Sequence, residues 1–239
     1  MAGILWAGAA TAGCDDPPGP AVNWTACDKR EAQLAGADLR SAVLGRADFS
    51  GADLRGANLT GADLSFANLA GARLDDAQLA QVRFLGANLS DTVFTGADLM
   101  GARFERTTLT GGSLAGTRLR QANFYQTRAI NADLREADLT GADLRQAVLN
   151  GARLSGAILQ EANLMRAELE QADLSGTDLT RARLDNARLV GANLSGADLT
   201  RAQLPGANVD DVILDGARLD NTTWADRRRC RPGSIGECQ

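Results

Sequence analysis

Every fifth residue from Leu34 to Trp224 is a centre position, and that period limits what this chain can fold into. The thirty-nine centres hold thirty-one leucines; Phe, Val and Trp supply the rest, except at Ala129. Two residues before each centre runs a second column, almost always alanine, beginning Ala32, Ala37, Ala42, Ala47 and Ala52. A period of five is neither the 3.6 of a helix nor the 2.0 of simple alternation. Within each unit, however, Ala and Leu lie two apart with a polar residue between them. That spacing predicts a three-residue strand whose two ends point inward. The other two residues, often ending in Gly, must turn the chain, and Gly in the second place supplies positive φ without steric cost. Strand and corner alternate, so the chain winds into a coil.

Composition fits such an array better than an ordinary globular core. Aromatics make up only 4% and glycines number 26 among 239 residues, which suits stacked repeats packed from Ala and Leu. The net charge of −5 argues against direct binding to a nucleic acid backbone, which needs a basic surface. Lys29 is the one lysine; the other basic residues are arginines. The unbroken phase predicts a single repeat domain over residues 22–224, whose imperfect first coil begins at Val22-Asn23-Trp24.

The unit Ala-(Asp/Asn)-Leu-x-x resembles the A(D/N)LXX motif of the pentapeptide repeat proteins, and the resemblance covers about residues 22–224. It implies an all-β fold: a right-handed, quadrilateral parallel β-helix with four pentapeptides per coil. At twenty residues per coil there are about ten coils, which at about 4.8 Å each make a rod roughly 45–50 Å long. Phe84, Phe104 and Phe124 then stack on one face, and Trp24 and Trp224 share their phase. From Val82 to Thr127 the Ala column loosens (Val82, Thr92, Thr107, Gly112, Thr117, Thr127), which predicts local widening or bending. The undersized centre Ala129 predicts that Ile130 or a neighbouring Leu fills its space, since a methyl-sized void costs about 1 kcal/mol.

The two ends read differently from the array. Residues 1–12 (MAGILWAGAATA) are apolar, too short to cross a membrane as a helix, and like the second half of a secretory signal. Ala10-Thr11-Ala12 fits a cleavage site, but the basic n-region is missing, so either the signal is truncated or the segment is not a signal. Residues 13–21 form a Pro-rich linker or cap and residues 225–239 a carboxy-terminal cap. Cysteines occur only at these ends, as Cys14 with Cys27 and Cys230 with Cys238. Two short clips in an oxidising compartment are the favoured reading. A lipobox ending at Cys14 and a zinc site across an end-to-end dimer remain as alternatives. The tail from Thr222 also resembles the Trp-led, disulfide-closed end of exported family members.

Catalytic chemistry is not indicated. The chain has no His, which removes the commonest general base and metal ligand. Carboxylates such as Asp38, Asp48, Asp53 and Asp63 recur because the motif places them outward, so their proximity carries little information. The glycines follow the five-residue period and form no phosphate-binding loop, and the Asn-x-Ser/Thr triplets at Asn58, Asn88 and Asn193 are by-products of the repeat. No cofactor or metal is expected. Arg83, Arg103, Arg106, Arg118, Arg120 and Arg128 form a candidate interaction patch, with neutral drift as the competing explanation of the whole irregular stretch. Arg227 to Arg229 with Arg231 form a second basic cluster, either anchoring the tail or meeting an acidic partner.

The expected function is a non-enzymatic, exported (periplasmic or extracellular) structural or protein-interaction module with an unknown partner. An end-to-end or face dimer is compatible with it. The resemblance also implies an alternative. Some cytoplasmic family members imitate duplex DNA, bind type II topoisomerases such as DNA gyrase and protect them from quinolones.

Overall fold

The computed structural model describes residues 13–239, so the signal-like segment 1–12 lies outside the described residues. The chain forms a parallel β-helix. Every bridge through the array joins a residue to the one twenty positions on, from Asn23 with Val43 to Gln203 with Thr223. Asp53, for example, lies between Gln33 and Arg73. Four turns separate each residue from its bridged partner.

One pentapeptide, Ala57 to Gly61, shows how the motif builds this coil. The Ala57 N–H donates to Leu54 O at 3.0 Å, closing the preceding turn. Asn58 donates to Ala37 O of the coil before, at 2.9 Å. Leu59 donates to Gln78 O of the coil after, at 2.8 Å, and Gly61 to Ala80 O at 2.9 Å. The fourth N–H, of Thr60, has no place in that ladder; the Asn58 side chain accepts it at 3.1 Å. Ser50, Ser65, Thr140, Ser175 and Ser195 are bonded in the same way by Asp48, Asp63, Asp138, Asp173 and Asn193. The Asp or Asn at the outward position is therefore a turn acceptor, not merely a solvated face. The fifth residue has φ of +63° to +67° at Gly56, Gly61 and Gly71, as the turn requires. Non-glycine residues adopt the same left-handed backbone, among them Ser41, Glu136 and Arg166.

The interior is a continuous column. Leu39, Leu44, Leu54 and the centres after them as far as Leu204 are buried beside the residues two positions back, most of them alanines. Phe104 stacks on Phe84 at 5.3 Å and on Phe124 at 4.5 Å, as the twenty-residue spacing predicts. Phe94 meets Phe84 edge-on at 5.9 Å. Where threonine replaces alanine, its hydroxyl donates to a main-chain carbonyl: Thr92 to Leu69 at 2.8 Å and Thr117 to Leu114 at 2.6 Å. Those bonds remove the cost of burying the hydroxyl. The bridges run through the loosened stretch without a break. Ile130 stays in the turn, half-buried along an outer groove with Asn131 and Val190, while Ala129 keeps its centre place.

Both ends are clipped. Cys14 and Cys27 form a disulfide with Cα atoms 5.4 Å apart. The adjoining segment is held by Gly13 N–H to Asn23 O and by the Trp24 indole N–H to Asp16 O. Lys29, in the centre phase of the imperfect first coil, lies 4.0 Å over the Trp24 ring and donates to Cys14 O. At the other end the chain turns back antiparallel, pairing Thr223 with Arg229 and Arg218 with Ile235. The Cys230–Cys238 disulfide closes this return. It leaves Val209, Val212 and Leu214 of the last coil only partly buried.

Outward charges pair at short range. Arg55 grips Asp53 through two nitrogens and holds its carboxyl at about 2, and Arg30 does the same to Asp28. A carboxyl lowered on folding contributes stability above its unfolded value of about 3.9 and loses it as pH falls toward 2. The melting temperature should therefore hold from pH 7 to about pH 5 and fall between pH 4 and 2, as thermal circular dichroism will show. The turn bond makes a paired prediction. Asn58→Ala should cost about 1 kcal/mol, whereas Val43→Asn, which offers the missing acceptor to the Gly45 N–H, should gain up to about 1 kcal/mol in chemical denaturation.

Candidate interaction edge

A twenty-residue register aligns the turn residues into columns along the rod. The turn that follows the Phe84–Phe104–Phe124 row carries Leu85, Glu105, Tyr125, Arg145 and Met165 at successive fourth positions. Its fifth positions include Phe66, Gly86, Arg106, Gln126, Gln146 and Arg166. Glu105, Asn123, Tyr125, Arg145, Gln146, Met165 and Arg166 line a groove of about 500 Å3.

Glu105 lies in this groove and is only 9% exposed; no other charged residue among the described ones is so buried. Its Oε1 accepts from Arg103 Nε at 3.0 Å and from Asn123 Nδ2 at 3.0 Å. Its Oε2 has no hydrogen-bond partner among the described residues. A buried carboxylate oxygen without a donor is costly, because hydrogen bonds to charged groups each contribute about 1.5–3 kcal/mol. Beside it, Tyr125 is half-buried, with its ring 5.6 Å from the Arg145 guanidinium. Arg145 directs Nε and Nη2 to the two oxygens of Asp143 at 2.8 and 2.6 Å. Burial opposes ionisation of Asp143, but the bonds from Arg145 outweigh it and hold the carboxyl below the usual range. Arg106 bonds Gln126, and Gln126 bonds Gln146, so the fifth positions form a polar ladder.

Two coils before Arg106 in that column stands Phe66, 59% exposed and held at φ of 62°. Left-handed backbone costs a non-glycine residue roughly 1–2 kcal/mol. Its ring lies over Gly86, where a Cβ would come within 2.7 Å of Cε1, so only glycine leaves it that place. A large apolar ring is thus displayed to solvent on strained backbone.

The six arginines of the candidate patch divide among three rows. Arg83 and Arg103 are bridged neighbours, paired with Asp63 and Glu105, and Arg106 follows round the turn. Arg118 lies on the preceding row between Asp98 and Asp138, and Arg120 reaches Asp138 at 3.6 Å. Arg128 is on the following row between Thr108 and Val148. The basic tail keeps Arg227, Arg228, Arg229 and Arg231 exposed, with Arg228 paired to Asp226 at 3.1 Å. Among the described residues no group of His, Cys, Asp or Glu could hold a metal ion.

The pentapeptide repeats family model matches eight copies, in stretches running from residue 32 to residue 216. The chain belongs to the pentapeptide repeat family. HetL from the cyanobacterium Nostoc, a pentapeptide repeat protein involved in heterocyst differentiation regulation, is 34% identical. The comparison covers 88% of this chain and 90% of HetL, with a TM-score of 0.74. A pentapeptide repeat protein from the cyanobacterium Cyanothece is 45% identical over 38% of this chain and 63% of its own, with a TM-score of 0.38. QnrB1, a plasmid-mediated fluoroquinolone resistance protein, is 23% identical over 71% of this chain and 92% of its own, with a TM-score of 0.37. No curated protein matches the chain. Family membership gives the pentapeptide repeat helix its right-handed sense.

The arginine reading reached Arg103 and Arg106 but missed Phe66, Glu105 and Tyr125. The signal for them lies in the pentapeptide register, when fourth and fifth positions are read every twenty residues instead of every five. If Phe66 serves display and not packing, Phe66→Gly should leave stability unchanged or raise it by up to about 1 kcal/mol as the left-handed strain is relieved. Chemical denaturation checks this, and a loss above 1 kcal/mol would show that the ring is structural.

Proposed function

We propose that this protein is an exported, non-enzymatic interaction rod: right-handed, four-sided, about ten coils long, and docking a protein partner along its surface. In this reading residues 1–12 are a signal-peptide-like segment. Residues 13–21 and 225–239 are clipped caps, and residues 22–224 form the rod. The observation that carries it is the placement of the cysteines. All four are joined in disulfides, one at each end, and none is left free among the described residues. Such clips persist in oxidising compartments and are reduced in the cytosol. Each closes a short loop and contributes about 2–3 kcal/mol in the chain-entropy model. They sit where a stacked array would otherwise expose its core and strand edges. Among the described residues no helix is long and apolar enough to cross a membrane. The non-enzymatic reading draws support from the outward carboxylates, many of which serve turns or ion pairs.

The alternative keeps the rod in the cytoplasm as a duplex-like ligand of a type II topoisomerase such as DNA gyrase. Arginines interleave the acidic rows, as at Arg118 between Asp98 and Asp138, and weaken any run of negative charge. Fractionation of cells expressing the untagged protein separates the readings. The export reading expects a processed amino terminus near Ala12, four oxidised cysteines and no effect on gyrase supercoiling at excess protein. A reduced, unprocessed cytoplasmic protein would end it, and gyrase inhibition would then favour the alternative.

A further inference from the structure

We infer that the Glu105 groove receives a basic side chain, lysine or arginine, from an extended segment of a partner protein. This rests on the interaction-rod reading and names the chemistry of its partner. Three observations on one edge carry it. The first is the buried carboxylate of Glu105, held on one oxygen by Arg103 and Asn123 and unpartnered on the other. A cationic donor supplies the missing hydrogen bond in its strongest, charge-assisted form. The second is the aromatic ring of Tyr125 in the same groove, half-buried and with one guanidinium 5.6 Å from its centroid. Its ring offers a cation a favourable electrostatic surface as well. The third is the apolar run to either side, with Phe66 and Leu85 before Glu105 and Met165 beyond it. Aromatic residues, Met and Arg are the types enriched where proteins dock.

The dimensions fit an extended segment. Phe66 and Met165 lie five coils apart, roughly 24 Å at about 4.8 Å per coil. An extended peptide of about seven residues covers that length at about 3.4 Å each. Glu105 stands two coils from the Phe66 end, so the basic side chain falls near the middle of the segment with apolar residues on both sides. Arg145 does not oppose it strongly, since Asp143 takes its Nε and Nη2. For its Oε2 to be reached, the side chains around Glu105 must part slightly, because that oxygen is covered in the free protein.

The experiment uses the full-length protein and three N-acetylated heptapeptides, identical except for a central Arg, Gln or Glu between leucine and phenylalanine residues. Binding is followed by fluorescence anisotropy. The central-Arg peptide should bind at least tenfold tighter than the central-Gln peptide, and Glu105→Gln should abolish that preference with unchanged thermal melting. Asp185→Asn, which alters the corresponding carboxylate beside Arg183 four coils along, should leave the preference intact. A preference that survives Glu105→Gln overturns the inference. So does tighter binding of the central-Glu peptide, which would mean that Arg145 and Arg166 dominate the groove, and so does a failure of all three peptides to bind. If Glu105→Gln changes the melting temperature, Tyr125→Leu provides the second test: it should weaken the Arg preference several-fold, and an unchanged preference overturns the inference. An oxidised, exported rod that fails these tests loses the partner chemistry and keeps the proposed function.

Discussion

The structure depends on one constraint: each coil must satisfy its main-chain hydrogen bonds with the coil on either side. Those bonds tie residues twenty positions apart, so the chain can neither add nor lose a residue within a coil without moving every later side chain out of phase. The ladder also determines where stability resides. A coil contacts only its neighbours, and the array behaves as a stack of coupled units. Its vulnerable places are the ends, where one side of a coil lacks a partner. The two disulfides stand there, and Lys29 helps close the first coil by reaching Cys14 across Trp24.

Within that frame each pentapeptide position has one physical task. The first and third fill the interior, and a threonine is accepted at the first only because a carbonyl is in reach, as Phe104 O is for Thr127 at 2.5 Å. The second points outward, yet it is not free, since its carboxylate or amide accepts the N–H of the fourth. The same side chains also join coils: Asn68 donates to Asp48 and Asn88 donates to Asn68, both at 3.0 Å. The outer surface is therefore bonded along the rod as well as around it.

The parts legible in the sequence were those set by period or by place in the chain. The inward Leu and Ala and the Phe84–Phe104–Phe124 stack follow from counting by five and by twenty, and the cysteine pairing follows from the position of the four cysteines at the two ends, outside the period. The turn role of Asp and Asn was not legible, because it depends on which N–H the ladder leaves over. The edge around Glu105 was hidden for a related reason. Leu85, Glu105, Tyr125 and Met165 are far apart in sequence and of unlike chemistry, and only the coil length makes them neighbours. The arginine patch failed to gather for the converse reason. Arg118, Arg120 and Arg128 are close in sequence, but five residues are enough to carry the chain round a corner to another row.

The division of tasks also determines where recognition can be built at least cost. Changing an interior residue disturbs packing, and changing a second-position Asp or Asn releases a turn N–H. A fifth-position residue must accept left-handed backbone, which strains every type but glycine. The fourth position carries none of these duties: its side chain lies at the turn, and its N–H is capped from outside where the second residue is Asp or Asn, as at Tyr125 and Met165. Glu105, Tyr125 and Met165 all occupy it, and Phe66, one step further along the turn, bears strain that no interior contact repays. A buried carboxylate with an unpartnered oxygen and an exposed ring on strained backbone are both unfavourable in the isolated rod. Both lie on the same edge, and a docked partner that supplies a cation and covers the ring would relieve both together.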